Sequence, residues 1–282
     1  MHLQTDLFSY KAELPACKRC GSYNIKRDGF YRGTRKRVYR CKRCKCRFVY
    51  NCSDLEKMRF HSKIVAFAVE LYTTTGISLR TLARKMKEYF GTGTSYEAIR
   101  LWVRKAAKRV YVPRLHELSA RFWCVDETMI KVNGSYVWLW VVLDPENKVV
   151  IAWHLSKVRT LGDAVTVLRK AFEKTANVPW QIITDNLPHY RRAIAKVFYR
   201  GNKPEHFVAR TVKRNNYIER LFREVKRRTK WFSAFRAYSS VAEFFKVFFY
   251  CYNHCKYHES LRRTPLEQRT LQQAIKSLAP LT

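Results

Sequence analysis

Apolar positions recur with two different periods along this 282-residue chain. Over 55–73 the period is helical: Ile64, Val65, Phe67, Ala68, Leu71 and Tyr72 fall on one face, and Thr73–Gly76 end the run. Ser78 is placed to cap a second helix with Leu79, Leu82, Ala83 and Met86 inward. Gly91-Thr92-Gly93 reads as a turn. Thr94-x-x-Glu97 then reads as a capping box opening a third helix, with Ile99, Trp102, Val103 and Ala106 apolar. At 121 the period changes to two. RFWCVDETMIKV (121–132) is a strand pattern centred on Asp126, Asn133-Gly134 is a hairpin signal, and SYVWLWVVLD (135–144) is a second strand. Pro145–Lys148 turn the chain into a third strand, VVIAWHL (149–155). A helix is predicted over Gly162–Ala176, a short buried strand over WQIIT (180–184) ending at Asp185, and a further helix over Asn216–Lys230. The order hairpin, third strand, helix, strand, helix predicts a mixed-sheet α/β domain after an all-helical segment.

The last of these helices carries two unlike faces. Ile218, Leu221, Phe222, Val225 and Thr229 are spaced to pack on the sheet. Glu219, Arg223, Lys226 and Lys230 share another side, with Asn216 one turn before Glu219. One carboxylate aligned with three cations suits a place where a metal and a DNA phosphate meet. The sequence thus puts Asp126 and Asp185 on two strands and Glu219 on a helix facing them. Glu127, Asp144, Asp163 and Glu224 read as solvated or capping carboxylates; Glu224 rivals Glu219 but points elsewhere round the helix.

Ahead of the helices, CKRC occurs twice, giving Cys17, Cys20, Cys41 and Cys44. Two CxxC knuckles supply the four thiolates that tetrahedral Zn²⁺ takes, with Cys46 as a possible substitute for Cys44. IKRDGFYRG and RKRVYR between them read as two short strands about a Gly turn. So small a segment needs the metal to fold, which predicts a zinc ribbon. Its cations Lys18, Arg19, Arg35, Lys36, Arg37, Lys42, Arg43 and Lys45 suit DNA phosphate.

Charge extends this reading to the whole chain. There are 56 Lys+Arg against 22 Asp+Glu, a formal net charge of +34. No block is acidic, and the least basic, 121–200, holds seven of the acids. Such a surface implies a polyanionic partner, double-stranded DNA first. The third helix then becomes a recognition helix with Arg100, Arg104, Lys105 and Lys108 outward, in a helix-turn-helix. A membrane is excluded as partner: the apolar runs 137–143 and 244–252 are far short of the about 20 residues of a spanning helix. No apolar leader precedes Cys17, so nine cysteines imply a reducing, cytoplasmic setting on the nucleoid. Breaks near 51–54 and 112–113 divide the chain into a ribbon (1–53), a helix-turn-helix domain (54–113) and the α/β domain with a helical tail (114–282). The histidines 154, 189, 254 and 258 match no ligand spacing. Asn253 and His258 read as structural or DNA-contacting, and the Trp and Phe residues mostly as core.

VDETMIKVNGSYVWLWVVLD around Asp126, ITDN around Asp185 and NNYIERLFREVKRRTK around Glu219 together resemble the DDE transposases of prokaryotic insertion sequences, the insertion-sequence-six family in particular. FYCYNHCKYHESLRRTPLE (249–267) is similar to the tail of integrase-like domains, and TSYEAIRLWV (94–103) to that family's recognition helix. The resemblance implies an RNase H-like catalytic domain. It also implies a triad of Asp126, Asp185 and Glu219, 59 and 34 positions apart, with too little chain between the last two for an inserted domain. Lys226 matches a basic residue seven positions after the family's glutamate. The resemblance implies, further, an enzyme that binds the element's ends as a dimer or higher homo-oligomer, hydrolyses a strand to free a 3′-OH and joins it to target DNA. Hard ions, Mg²⁺ or Mn²⁺, take carboxylate oxygens; of two such ions Asp126 is expected to bridge both, with Asp185 on one and Glu219 on the other. A regulator made of ribbon and helix-turn-helix leaves the three acids unexplained, and an inactive remnant is opposed by their joint presence.

Overall fold

The computed structural model describes residues 17–31 and 37–49 except 18, 21 and 23, residue 60, 62–110 except 92, 115–199 except 117, 203–209, 216–230 and 235–266. Lys18, Arg35, Lys36 and Cys52 lie outside these residues, as do the breaks at 51–54 and 112–113. The chain divides into two compact units, 1–62 and 63–282.

The first unit holds a three-stranded antiparallel sheet: β1 (Ile25–Phe30), β2 (Arg37–Cys41) and β3 (Arg47–Val49), in that order. The third strand was not expected from the sequence, being only three residues long. Ile25, Cys17, Cys41 and Phe48 form its small core, and Gly29 takes the left-handed backbone that lets β1 bulge between Arg27 and Phe30. So few apolar side chains leave most of the stabilisation to whatever the thiols bind.

The second unit opens with α1 (Ser62–Thr74), α2 (Leu79–Phe90) and α3 (Tyr96–Arg109). Ser78 caps α2 by accepting from Thr81 N–H, as expected. α3 is capped by Ser95, which accepts from Ala98 N–H, and not by the Thr94 box; Thr94 is buried instead. Ser95 is the residue with extended backbone one position before helical geometry begins, which is what a cap needs. Phe67 also departs from expectation. It is 45% exposed and touches Phe90 edge-on, so the inward face is carried by Val65, Ala68, Val69 and Tyr72.

A five-stranded mixed sheet follows, built from β4 (Phe122–Val132), β5 (Ser135–Asp144), β6 (Val149–Ser156), β7 (Gln181–Thr184) and β8 (Glu205–Val208) in the order β6-β5-β4-β7-β8. The first three pair antiparallel through the predicted hairpin, with Asn133 and Gly134 both at positive φ; β7 and β8 add on parallel. One face packs on α4 (Leu161–Thr175) and α5 (Pro188–Val197): Trp123, Val125, Trp140, Val142 and Ile182 meet Ala164, Leu168, Tyr190 and Ile194. Strand alternation sends Cys124, Asp126 and Val141 to the opposite face. There α6 (Asn216–Lys230) contacts β4, and α7 (Tyr238–His254) contacts β6 through Trp153 against Phe249. α7 also packs on α3, and Phe244 meets Tyr72 edge-on, which brings the N-terminal helices into the same compact unit as the sheet. α5 and β8 escaped prediction because each is short. Among the described residues, no helix is long and apolar enough to cross a membrane.

Candidate active site

Asp126 lies mid-strand on β4, opposite Val141 of β5. Asp185 follows the last residue of β7, which is paired parallel with β4 at Val125–Thr184. That pairing brings the two aspartates side by side at one end of the sheet. Asp185 turns the chain into α5, its Oδ1 accepting Leu187 N–H at 3.0 Å. Asp126 Oδ1 accepts Glu127 N–H at 2.8 Å. Carboxylate oxygens of Asp126, Glu127 and Asp185 all lie within 4.8 Å of one another. Glu219, in the first turn of α6, is exposed and stands outside that trio, but its charge reaches Asp126. Burial pushes the Asp126 carboxyl up to about 7, and the negative charges of Glu127, Asp185 and Glu219 add to the shift.

Glu127 corrects the sequence reading. It is a buried carboxylate rather than a solvated one, although a neighbour of Asp126 on a strand belongs to the other face. From that face it accepts from Tyr190 Oη of α5 and from Arg159 Nε at 2.6 Å. Arg159 Nη2 also reaches Asp185 Oδ2 at 3.7 Å, and its guanidinium lies over the Trp138 ring, 4.9 Å from the centroid. Burial raises the Glu127 pKa, opposed by Tyr190 and Arg159. The other demoted acids behave as read. Asp144 caps the turn at Glu146 and Asn147, Asp163 closes a capping box with Thr160, and Glu224 pairs with Lys256. On α6, Ile218, Leu221, Phe222 and Val225 are buried as expected; Arg228 is buried too, over the Tyr72 ring, while Thr229 is only partly covered. Asn216, Arg223, Lys226 and Lys230 are exposed beside Glu219.

The cations of α3 are divided. Lys108 is exposed and Lys105 partly covered. Arg100 pairs with Glu97 at 2.7 Å and Arg104 with Glu243 of α7 at 3.2 Å. Both arginines line a cleft of about 580 Å³ together with Arg80 and Arg236.

In the first unit the four predicted thiols converge. Cys17 Sγ is 3.5 Å from Cys44 Sγ, and Cys20 Sγ is 3.7 Å from Cys41 Sγ. All four fall within 4.8 Å of one another. Cys44, not Cys46, completes the set; Cys46 donates to Arg47 O. Burial pushes the Cys17 thiol up, but backbone N–H groups of Cys20 and Arg19 outweigh it and bring it down to about 6. The Cys44 N–H donated to Cys41 lowers that thiol as well. Cys44 goes the other way: the Cys46 backbone N–H lowers it, but burial and the thiols of Cys17, Cys20 and Cys41 push it up to about 11.

Residues 120–258 match the family described as DDE domain. The chain is 27% identical over 178 residues to the transposase for insertion sequence-like element IS431mec of Staphylococcus aureus, across 61% of this chain and 77% of that protein. It is similar to the same extent to the transposase for insertion sequence element IS257 in transposon Tn4003 of S. aureus. Among solved structures, the simian T-cell lymphotropic virus intasome with PP2A regulatory subunit B56 gamma overlaps 76% of each chain, at 17% identity and TM-score 0.41. The HTLV-2 integrase catalytic core with magnesium overlaps 56% of this chain and 97% of its own, at 17% identity and TM-score 0.36. The sheet, its carboxylates and the family match place the chain among the DDE enzymes. Residues 120–258 thus form a DDE domain, and over 178 residues the chain is similar to transposases of insertion sequences.

Proposed function

We propose that this transposase binds the ends of its insertion sequence, cleaves DNA strands to free 3′-OH groups and joins them to target DNA, with Asp126, Asp185 and Glu219 as its catalytic carboxylates. The observation that carries this is the convergence of Asp126 and Asp185 across the parallel β4–β7 pair, with the charge of Glu219 reaching Asp126 from α6. The oxygen donors fit hard divalent ions, Mg²⁺ or Mn²⁺, two of them in this reading. When bound, such ions supply charge neutralisation at the phosphate and lower the pKa of the attacking oxygen. The protein's own part is to hold Asp126 and Asp185 side by side in a partly buried site, with Glu219 on the exposed first turn of α6, and to lay Arg223, Lys226 and Lys230 along the same side of that helix for the DNA backbone. The decisive experiment is strand transfer of end DNA with Mg²⁺; a protein that binds ends but never nicks them is a regulator or a remnant.

The fold class that supports this reading is an RNase H-like catalytic domain, preceded by a zinc ribbon and a helix-turn-helix, in the three segments 1–53, 54–113 and 114–282. Double-stranded DNA is the partner, a homo-oligomer the working form, and the nucleoid in the cytoplasm the site of action.

α3 is the recognition helix of this reading. Arg100→Ala and Arg104→Ala should each lower discrimination between end and random DNA by roughly tenfold, measured by competition binding at fixed salt. Equal weakening on both DNAs would reduce the two arginines to phosphate contacts. Asn216, Lys105 and Lys108 should affect both DNAs alike.

Cys17, Cys20, Cys41 and Cys44 suit structural Zn²⁺. Purified protein should hold about one zinc per chain, and its removal by a chelator should open residues 17–49 to protease while 63–282 stays folded. A ribbon that stays protected without metal would refute the assignment.

A further inference from the structure

We propose that Arg159 is a positioning residue whose task is to hold Glu127 out of the metal site; this rests on the reading of Asp126, Asp185 and Glu219 as the ion-binding acids. The catalytic scheme has no use for Glu127, yet its carboxylate stands within 4.8 Å of both aspartates. A fourth carboxylate at that distance is a ready rival ligand for a hard divalent ion. Two groups occupy its oxygens instead. Arg159 binds Oε1 through Nε and Nη2, and the Tyr190 hydroxyl donates to Oε2. Both partners approach from the α4/α5 face, the face opposite to Asp126. Tyr190 is wholly buried and fixed edge-on against Trp140, so it cannot follow Glu127 towards the ions. Arg159 is braced on Trp138, and its second contact, 3.7 Å to Asp185 Oδ2, ties the same guanidinium to an acid of the triad. One cation therefore does two things: it turns Glu127 away and it steadies Asp185.

The two effects have opposite signs in metal binding and in catalysis. Without Arg159 the site loses a positive charge and gains a free carboxylate, so ions should bind more tightly but in the wrong arrangement. The test is Mn²⁺ binding to the full-length protein without DNA, followed by electron paramagnetic resonance, alongside strand transfer. Arg159→Ala should tighten Mn²⁺ binding by roughly threefold or more while strand transfer falls by roughly a hundredfold. Arg159→Ala with Glu127→Gln should bring Mn²⁺ affinity back near the native value and recover about a tenth or more of native strand transfer, as expected for directly coupled groups. Glu127→Gln alone keeps an acceptor for Tyr190 and should keep native Mn²⁺ affinity.

Three results would overturn the proposal. Glu127→Gln that loses Mn²⁺ would make Glu127 a ligand. Activity of Arg159→Ala that Glu127→Gln does not recover would mean that Arg159 serves the substrate and not Glu127. Unchanged Mn²⁺ binding in Arg159→Ala would show no restraint on Glu127. If Arg159→Ala fails to fold, Arg159→Lys serves: it keeps the charge but loses the paired hold on Glu127, and should give a weaker form of the same opposition. Native Mn²⁺ binding by Asp126→Asn would instead sink the underlying reading of the triad.

Discussion

Asp126→Asn, Asp185→Asn and Glu219→Gln should each lower DNA cleavage and strand transfer by about 10³-fold or more while end binding survives, a loss of about 4 kcal/mol in the reacting complex. Each substitution keeps shape and removes a negative oxygen. DNA binding survives because it rests on cations distributed over the whole chain, +34 in net charge. Glu224→Gln is the internal control. It lies on the same helix as Glu219 but pairs with Lys256, and should retain native activity. Full activity in Glu219→Gln, or loss in Glu224→Gln alone, would mean that the wrong helix face was chosen. Stability should move the other way for Asp126. Its folded pKa, about 7 against an ordinary 3.8, means that the fold prefers the neutral form. Without metal this costs nothing below about pH 4, grows between pH 4 and 7, and is fully present above, at up to about 4 kcal/mol. Metal-free Asp126→Asn should therefore melt higher than the native protein at pH 8 and no higher at pH 4. A variant that is inactive yet more stable is the signature of an acid kept for chemistry rather than for folding.

How much of this was legible in the residues depended on the length of the pattern. β4, β5, β6, α4 and α6 announce themselves because ten or so positions repeat one period, and Asn133-Gly134 fixes the hairpin register that centres Asp126. β3 and β8 are too short to repeat, and the ten residues of α5 make under three helical turns. The CxxC pairs were legible for a different reason: metal chemistry fixes both residue type and spacing, and the four thiols converge as that demands. Glu127 was not legible. Strand alternation sends it to the face opposite Asp126, and the groups that bury and hold it there, Arg159 and Tyr190, come 32 and 63 residues later in the chain. Arg228 was missed likewise, since the partners of a cation at that buried helical position, the rings of Tyr72 and Phe244 among them, lie on other elements. Local rules see the elements; partners distant in sequence decide what a polar side chain is for.

Asn253 is the sharpest case of that, because the sequence left it between a structural role and a DNA contact. It sits near the end of α7, 7% exposed, and its side chain reaches across to β6: Oδ1 accepts Val150 N–H at 2.9 Å and Nδ2 donates to Val150 O at 3.0 Å. Among the described residues β6 is an edge strand, with no further strand pairing its outer peptide groups. The Asn253 amide takes that strand's place with one donor and one acceptor, and its own carbonyl then accepts Leu266 N–H at 2.9 Å, fastening the tail. Asn253→Ala would strand two buried backbone groups at about 1–3 kcal/mol each, so the melting temperature should fall by roughly 5–15 °C. Asn253→Asp keeps the acceptor but loses the donor and buries a charge against a carbonyl, so it should be no better than alanine. A DNA contact predicts the reverse: weaker end binding at an unchanged melting temperature, with Asn253→Asp worse than Asn253→Ala only when DNA is present. Because the amide bonds run to the backbone of a strand that flanks the hairpin of Asp126, loss of Asn253 should also loosen the sheet that seats the acids, and cleavage should decline with temperature well before the unit unfolds.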